Sequence, residues 1–263
     1  MNRPSNNRTP SELHSQPRKG TTMTNTKRTP MDSLRKTALI AGLFYLLTFV
    51  SIPTLMLYSS VHEDGYILGS GPDTALIVGG ILEIIVALAG MGTAVALFPV
   101  LKRQHEGMAL GLIASRTLEA AGIFAGVASL LTIAHLRQEG AGPDAAALGQ
   151  MLVAFYDQMF RISQGLIPAV NALLLGTLLY RSRLVPRFLP TLGLIGAVTL
   201  VSSNVGSLFG LWDQVSPVTA VATLPIAAWE FGLGVWLVAK GFNASSTIPV
   251  TARPMSDELQ TAI

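Results

Sequence analysis

Six stretches of this sequence stay apolar for about as long as a helix needs to cross a bilayer, roughly 20 residues. They lie near 38–58, 74–99, 108–135, 152–180, 188–211 and 217–239. Backbone N–H and C=O groups in lipid must be satisfied within their own segment, so each stretch is expected to be a helix. The third and fourth are long enough to tilt or to run past the hydrocarbon. Pro53 and Pro168 are expected to kink the first and fourth. The fold class predicted is therefore all-α, an integral membrane bundle of six transmembrane helices in one domain spanning 37–240. Polar tails at 1–36 and 241–263 lack apolar periodicity and are predicted to be disordered.

Composition agrees with that reading. Charged residues make up 13% of the chain and hydrophobic ones 50%, against about a quarter charged in a soluble domain. This scarcity excludes an ordinary globular enzyme, a disordered regulator and a nucleic-acid binder. The chain has no cysteine, which removes disulfides, thiolate metal sites and cysteine nucleophiles together. The first apolar run is too long for a secretory h-region, and no small-residue cleavage site follows it, so it is expected to stay as a span. Met23 and Met31 are alternative starts to Met1.

The position of the charges predicts orientation. Eight of the 18 basic residues precede position 37, and the second and fourth loops carry Lys102, Arg103, Arg181, Arg183 and Arg187. Lys240 and Arg253 follow the last span, so 15 of 18 basic residues fall on one side. The other three loops carry Glu63, Asp64, Asp73, Glu139, Asp144 and Asp213 against a single Arg137. The positive-inside rule then places both termini in the cytoplasm. The same basic side is expected to attract anionic lipid headgroups. No aromatic residue interleaves the positive charges of the N-terminal tail, so nucleic acid is not expected as a partner.

Six ionisable residues remain inside the spans: Glu83, Arg116, Glu119, Asp157, Arg161 and Glu230. Each would cost about 2.5–3.5 kcal/mol at the centre of an isolated helix, which directs them to the bundle interior, to one another or to water. Arg116 and Glu119 stand three apart, and Asp157 and Arg161 four apart, so each pair is expected to share a helix face. In the fourth span Asp157, Arg161, Gln164, Pro168 and Asn171 follow at steps of 4, 3, 4 and 3. On a regular helix they form one polar stripe about 21 Å long. Counting residues inward from the cytoplasmic ends predicts two layers: Arg116, Glu119, Asn171 and Glu230 in one, Glu83, Arg161 and Asn204 in the other. The expected contacts are an inner cluster of Arg116, Glu119 and Glu230 and an outer pair of Glu83 with Arg161.

Small residues share the charged faces, and GxxxG spacing recurs at Gly107/Gly111, Gly122/Gly126 and Gly206/Gly210. Such faces allow close helix packing, within the chain or in a homo-oligomer. The histidines His14, His62, His105 and His135 lie in the tail, in loops or at a span's end, without metal-ligand spacing. No metal or other cofactor is therefore expected. No G-x-S-x-G elbow, P-loop or intramembrane Ser–His pair occurs, so catalysis is the least supported class.

Leu39-Ile-Ala-Gly-Leu-Phe-Tyr-Leu-Leu-Thr48, Arg116-Thr-Leu-Glu-Ala120 and Tyr180-Arg-Ser-Arg-Leu-Val-Pro-Arg187 resemble the bacterial domain-of-unknown-function family 4386. The resemblance covers about 31–240, with Arg116, Glu119 and the loop ending at Arg187 as its most specific parts. It implies a bacterial membrane protein of six or seven spans, hence an inner-membrane location, and brings no activity, substrate or cofactor. Two functional readings stand open. In the first, Glu83, Arg116, Glu119, Asp157, Arg161, Gln164, Asn171 and Glu230 bind or move a small solute, ion or lipid. In the second, the same residues only hold the helices of a structural or partner-binding subunit.

Overall fold

The computed structural model describes residues 33–142 and 144–243. Among them are six helices long and apolar enough to cross a membrane: α1 (Ser33–Leu57), α2 (Thr74–Leu101), α3 (Glu106–Gln138), α4 (Ala145–Ser182), α5 (Phe188–Leu208) and α6 (Pro217–Ala239). No strand occurs among the described residues. The tails expected to be disordered lie outside the described residues, apart from 33–36 and 241–243. Those few positions are ordered parts of the bundle. α1 begins at Ser33, and Arg35 donates to the carbonyl oxygens of Leu237 (2.8 Å) and Val238 (2.5 Å) at the end of α6. Asn243 reaches back to the Arg183 and Leu184 carbonyls.

Helix starts follow local chemistry. His105 caps α3 by accepting from the Met108 N–H at 3.2 Å, and Ser216, with Pro217 behind it, caps α6 through the Thr219 N–H. α4 ends at Arg183, which adopts a left-handed conformation with φ 56°. In the loop that follows, Leu184 and Val185 point inward and are buried with the core. That packing accounts for an apolar pair standing between basic residues in so polar a turn.

Each helix packs against the next in sequence, and α1 packs against α6, which closes a ring of six. The closure is uneven. Contacts between α1 and α6 come almost wholly from Ser33–Leu47, where Gly42 and Gly234 let the two backbones approach; a Cβ on Gly42 would strike the Gly234 carbonyl and Val238. The last tight contact along α1 is the edge-on pair of Phe49 and Phe231, 5.4 Å between ring centres. Phe49 already lies in a 3-10 turn, Thr48–Ser51, to which α1 changes, and Pro53 precedes its final turn, Thr54–Leu57. The lower stretch of α1 leans on α2 instead.

One end of the bundle carries the basic loops and the other the acidic ones. The basic half holds the large apolar core, including Leu97, Leu101, Leu112, Leu175, Leu179 and Trp229. A smaller core of Tyr58, Ile67, Leu76, Leu130, Ile133 and Tyr156 lies at the acidic end. Arg137, the lone cation of the acidic loops, fastens the α1–α2 loop there. It pairs with Asp73 at 3.0 Å, donates to the Tyr66 and Gly71 carbonyls at 2.8 Å, and stacks 3.8 Å from the Tyr66 ring centre.

α4 is irregular close to Pro168, the position expected to kink it. Residues Arg161–Leu166 form a π-helical turn just before Pro168. Proline has no N–H to give, so the regular ladder is interrupted there. Asn204 of α5 donates to the Gly165 carbonyl at 2.9 Å, supplying a side-chain partner inside the apolar layer.

Candidate functional site

The polar residues of the spans gather at three places. The first lies just above the basic-half core. Arg116 is 4% exposed and donates through Nη1 to both Glu119 oxygens (3.2 and 3.0 Å) and through Nη2 to Glu230 Oε1 (2.9 Å). Asn171 donates to Glu119 Oε2 at 2.6 Å. The guanidinium also lies 5.7 Å from the centre of the buried Tyr45 ring. One cation thus joins α3 to α6 and α1 across the ring, while α4 holds the Glu119 side through Asn171.

Glu83 of α2 forms the second place, and among the described residues it has no cationic partner. It is 1% exposed. Its Oε1 accepts from Tyr156 Oη at 2.8 Å and from Gln164 Nε2 at 3.5 Å, whereas Oε2 meets no donor. The Tyr58 hydroxyl, equally buried, also has no partner, and the Tyr58 and Tyr156 rings meet edge-on with centres 5.3 Å apart. The expected Glu83–Arg161 pair does not form.

At the acidic end, Arg161 donates through Nε to Gln214 Oε1 of the α5–α6 loop at 3.0 Å. Gln214 in turn donates to the Asp157 carbonyl at 3.4 Å. Asp157 does not pair with Arg161 either; its Oδ1 lies 3.0 Å from His62 Nε2. His62 Nδ1 meets the Tyr58 carbonyl at 2.9 Å. Both ring nitrogens therefore face groups that only accept, which favours the imidazolium. The hydrogen bond to Asp157 accordingly raises the His62 pKa.

These contacts correct the single stripe expected on α4. Asp157 turns to the α1–α2 loop, Arg161 to the α5–α6 loop, Gln164 to α2 and Asn171 to α3. The π turn takes in an extra residue, so positions beyond it are rotated relative to those before it. Neighbouring spacing also misled at a finer level, because Asp157 and Arg161 each find a better partner on a loop. Four participants were not among the expected site residues: Tyr45, Tyr156, His62 and Gln214. Only Tyr45 had a sequence signal, since Ala38, Ala41 and Tyr45 recur at helical spacing.

Clefts with shared walls run between the third place and the first on the side where α1 and α6 part, and Glu83 lines none of them. One of about 440 Å³ is lined by Thr54, Tyr58, His62, Asp157, Arg161 and Gln214. Its neighbour, about 480 Å³, shares Leu55, Phe160, Gln214 and Val215 with it and continues along Thr219, Thr223 and Leu224 of α6. A third, about 190 Å³, shares Ile52, Gln164, Leu200, Thr223 and Ala227 with the second and ends at Arg116, Glu119 and Glu230. The middle cleft is chiefly apolar, and the first, at the acidic end, is lined by Asp157, Arg161 and His62. Among the described residues, no group of three or more His, Asp or Glu stands together as a metal site would require.

Six apolar helices around an interior with buried ion pairs define a multi-pass membrane protein. The family model named Domain of unknown function (DUF4386) matches residues 40–241. The chain belongs to that family, and the match takes in α2 to α6 whole and α1 from Ile40 onward. No curated protein and no solved structure matches it.

Proposed function

We propose that this membrane protein holds a small amphiphilic molecule in the side opening between α1, α4 and α6. The observation that carries the reading is the row of clefts with shared walls, polar at Arg161 and His62, apolar through Leu55, Leu224 and Ala227, and polar again at Arg116 and Glu230. A bundle whose buried charges served only as glue would pair every one of them and pack its interior shut. Among the described residues Arg161 has no acidic partner within ion-pair distance and Glu83 no basic one. The opening arises where α1 loses its regular helix, so space and polarity share one cause.

Blocking the middle cleft tests the reading. Ala220 and Thr223 line it from α6, and Thr223→Trp fills it without removing a member of any ion pair. Native mass spectrometry of protein extracted with its own lipids, then of protein offered dodecyl-chain probes, is expected to find retained amphiphile in the wild type and loss in Thr223→Trp. Equal retention by both, with unchanged thermal stability, overturns it.

The reading places the basic end in the cytoplasm and the acidic end, with the mouth of the opening, on the far side of a bacterial inner membrane. The excess of Lys and Arg in the second and fourth loops supports this. Because the chain lacks cysteine, Gln138→Cys at the acidic end and Gly107→Cys at the basic end report topology directly. A membrane-impermeant maleimide on intact cells is expected to label the first and spare the second; the reverse pattern inverts the orientation.

A further inference from the structure

We infer that the molecule taken up in the side opening carries an acidic head, a carboxylate or a phosphate, held by the Arg161 guanidinium at the mouth. The inference rests on the proposed amphiphile site and specifies its ligand. Arg161 stands at the start of the π turn of α4, half-buried, and lines the first cleft. Gln214 takes only its Nε. Nη1 and Nη2 meet no acceptor among the described residues, and the side chain lines the cleft. An arginine fork with its two outer nitrogens open is suited to a planar or tetrahedral oxyanion, which it binds through two parallel hydrogen bonds.

The local charges favour the same occupant. Asp157 is the one acid close to Arg161 along the chain, and its Oδ1 is taken by His62. With both its nitrogens directed at acceptors, His62 is drawn toward the imidazolium that offsets Asp157, and among the described residues neither Asp157 nor Asp213, beside Gln214, comes within ion-pair distance of Arg161. An uncompensated cation at that depth is costly, so an anion is the ligand that gains most from entering. Leu55, Phe160 and Val215 continue from the mouth into the apolar middle cleft, which accommodates a single hydrocarbon chain behind the head. From Arg161 to Asn171, at the bottom, α4 runs about 15 Å.

Three probes of one chain length separate the possibilities: dodecanoate, dodecyl phosphate and dodecanol, offered to the purified full chain in a neutral detergent. The acidic probes are expected to bind about tenfold or more tightly than dodecanol, the difference that a charge-assisted hydrogen bond supplies. Arg161→Gln is expected to bring them down to the dodecanol level, and Arg161→Lys to recover part of the loss by keeping charge without the fork. Dodecanoate ahead of dodecyl phosphate indicates a free fatty acid, and the reverse order a phospholipid-type head. Dodecanol bound as tightly as the acids, with Arg161→Gln unchanged, overturns the acidic head and leaves the amphiphile site standing. Failure of all three to bind overturns both. Arg161 touches neither apolar core, so an unchanged melting temperature in Arg161→Gln identifies any lost affinity as a loss of recognition.

Discussion

The basic and acidic halves of this bundle are built from the same helices and similar polar residues, yet they use them in opposite ways. Toward the basic half α1 and α6 lie against each other through Gly42 and Gly234, and the buried cation Arg116 meets two carboxylates beside a large apolar core. Toward the acidic half α1 breaks its helix, the ring parts, and the half-buried Arg161 has no acid within ion-pair distance among the described residues. Close packing lowers the local dielectric, which makes an unpaired charge intolerable and a paired one strongly held. An open wall can leave a charge available. Whether a buried charge in a membrane bundle serves structure or recognition thus depends on how near the next helix comes.

The sharpest break in that comparison should come from Arg116→Ala. It leaves Glu119 and Glu230 without their cation, and removing one partner of a buried pair costs about 3–5 kcal/mol. A large drop in melting temperature in detergent is expected, while Arg161→Ala should change it little. Equal effects from the two would erase the distinction between halves. Next in size is Gly42→Leu, which forces α1 from α6 at their tightest crossing and should cost about 1–3 kcal/mol, the usual range for overpacking. A distance measured between labels on α1 and α6 should lengthen with it.

Tyr156→Phe should have a smaller effect, about 0.5–1.5 kcal/mol, by removing the direct donor to Glu83. Glu83→Gln, which keeps an acceptor at Oε1 and removes a carboxylate that has no cation, should leave the melting temperature unchanged or raise it. Destabilisation by Glu83→Gln as severe as by Arg116→Ala would mean that Glu83 has a cationic partner after all.

The smallest effect expected is a pH dependence at the mouth. The His62 pKa is raised above its ordinary value by the hydrogen bond to Asp157. The histidine contact therefore contributes its full stability below the unfolded value, about 6.5, and loses it as pH rises through the raised folded one. His62 is part-exposed, and Glu63 and Asp64 line the cleft on its other side, so solvent keeps the contribution modest. Melting curves against pH for wild type and His62→Gln should converge at alkaline pH and separate as pH falls. Parallel curves across the range would remove His62 from the account.

Much of the fold was legible from one-dimensional physics. Span number follows from apolar length, because lipid forbids unsatisfied backbone. The Arg116–Glu119 contact follows from spacing three on one helix, and depth counting put Asn171 and Glu230 at the same level. The failures share a cause. The pairs Glu83–Arg161 and Asp157–Arg161, and the single stripe on α4, all assumed regular helical spacing from Asp157 to Asn171, despite the kink expected at Pro168, and partners drawn from spans alone. The π turn rotated one half of α4 against the other, and His62 and Gln214 came in from loops that carry no periodic signal.

By itself the amino-acid sequence determined that this is a six-helix membrane bundle and which charged residues sit within it, since both follow from the cost of polar groups in hydrocarbon. Only the tertiary structure decided which of those charges meet. Partner choice depends on helix rotation, on where α1 parts from α6 and on loops folding back over the mouth. Those are contacts between residues far apart in the chain, such as Arg116 with Glu230 and His62 with Asp157, and no local pattern along the sequence encodes them.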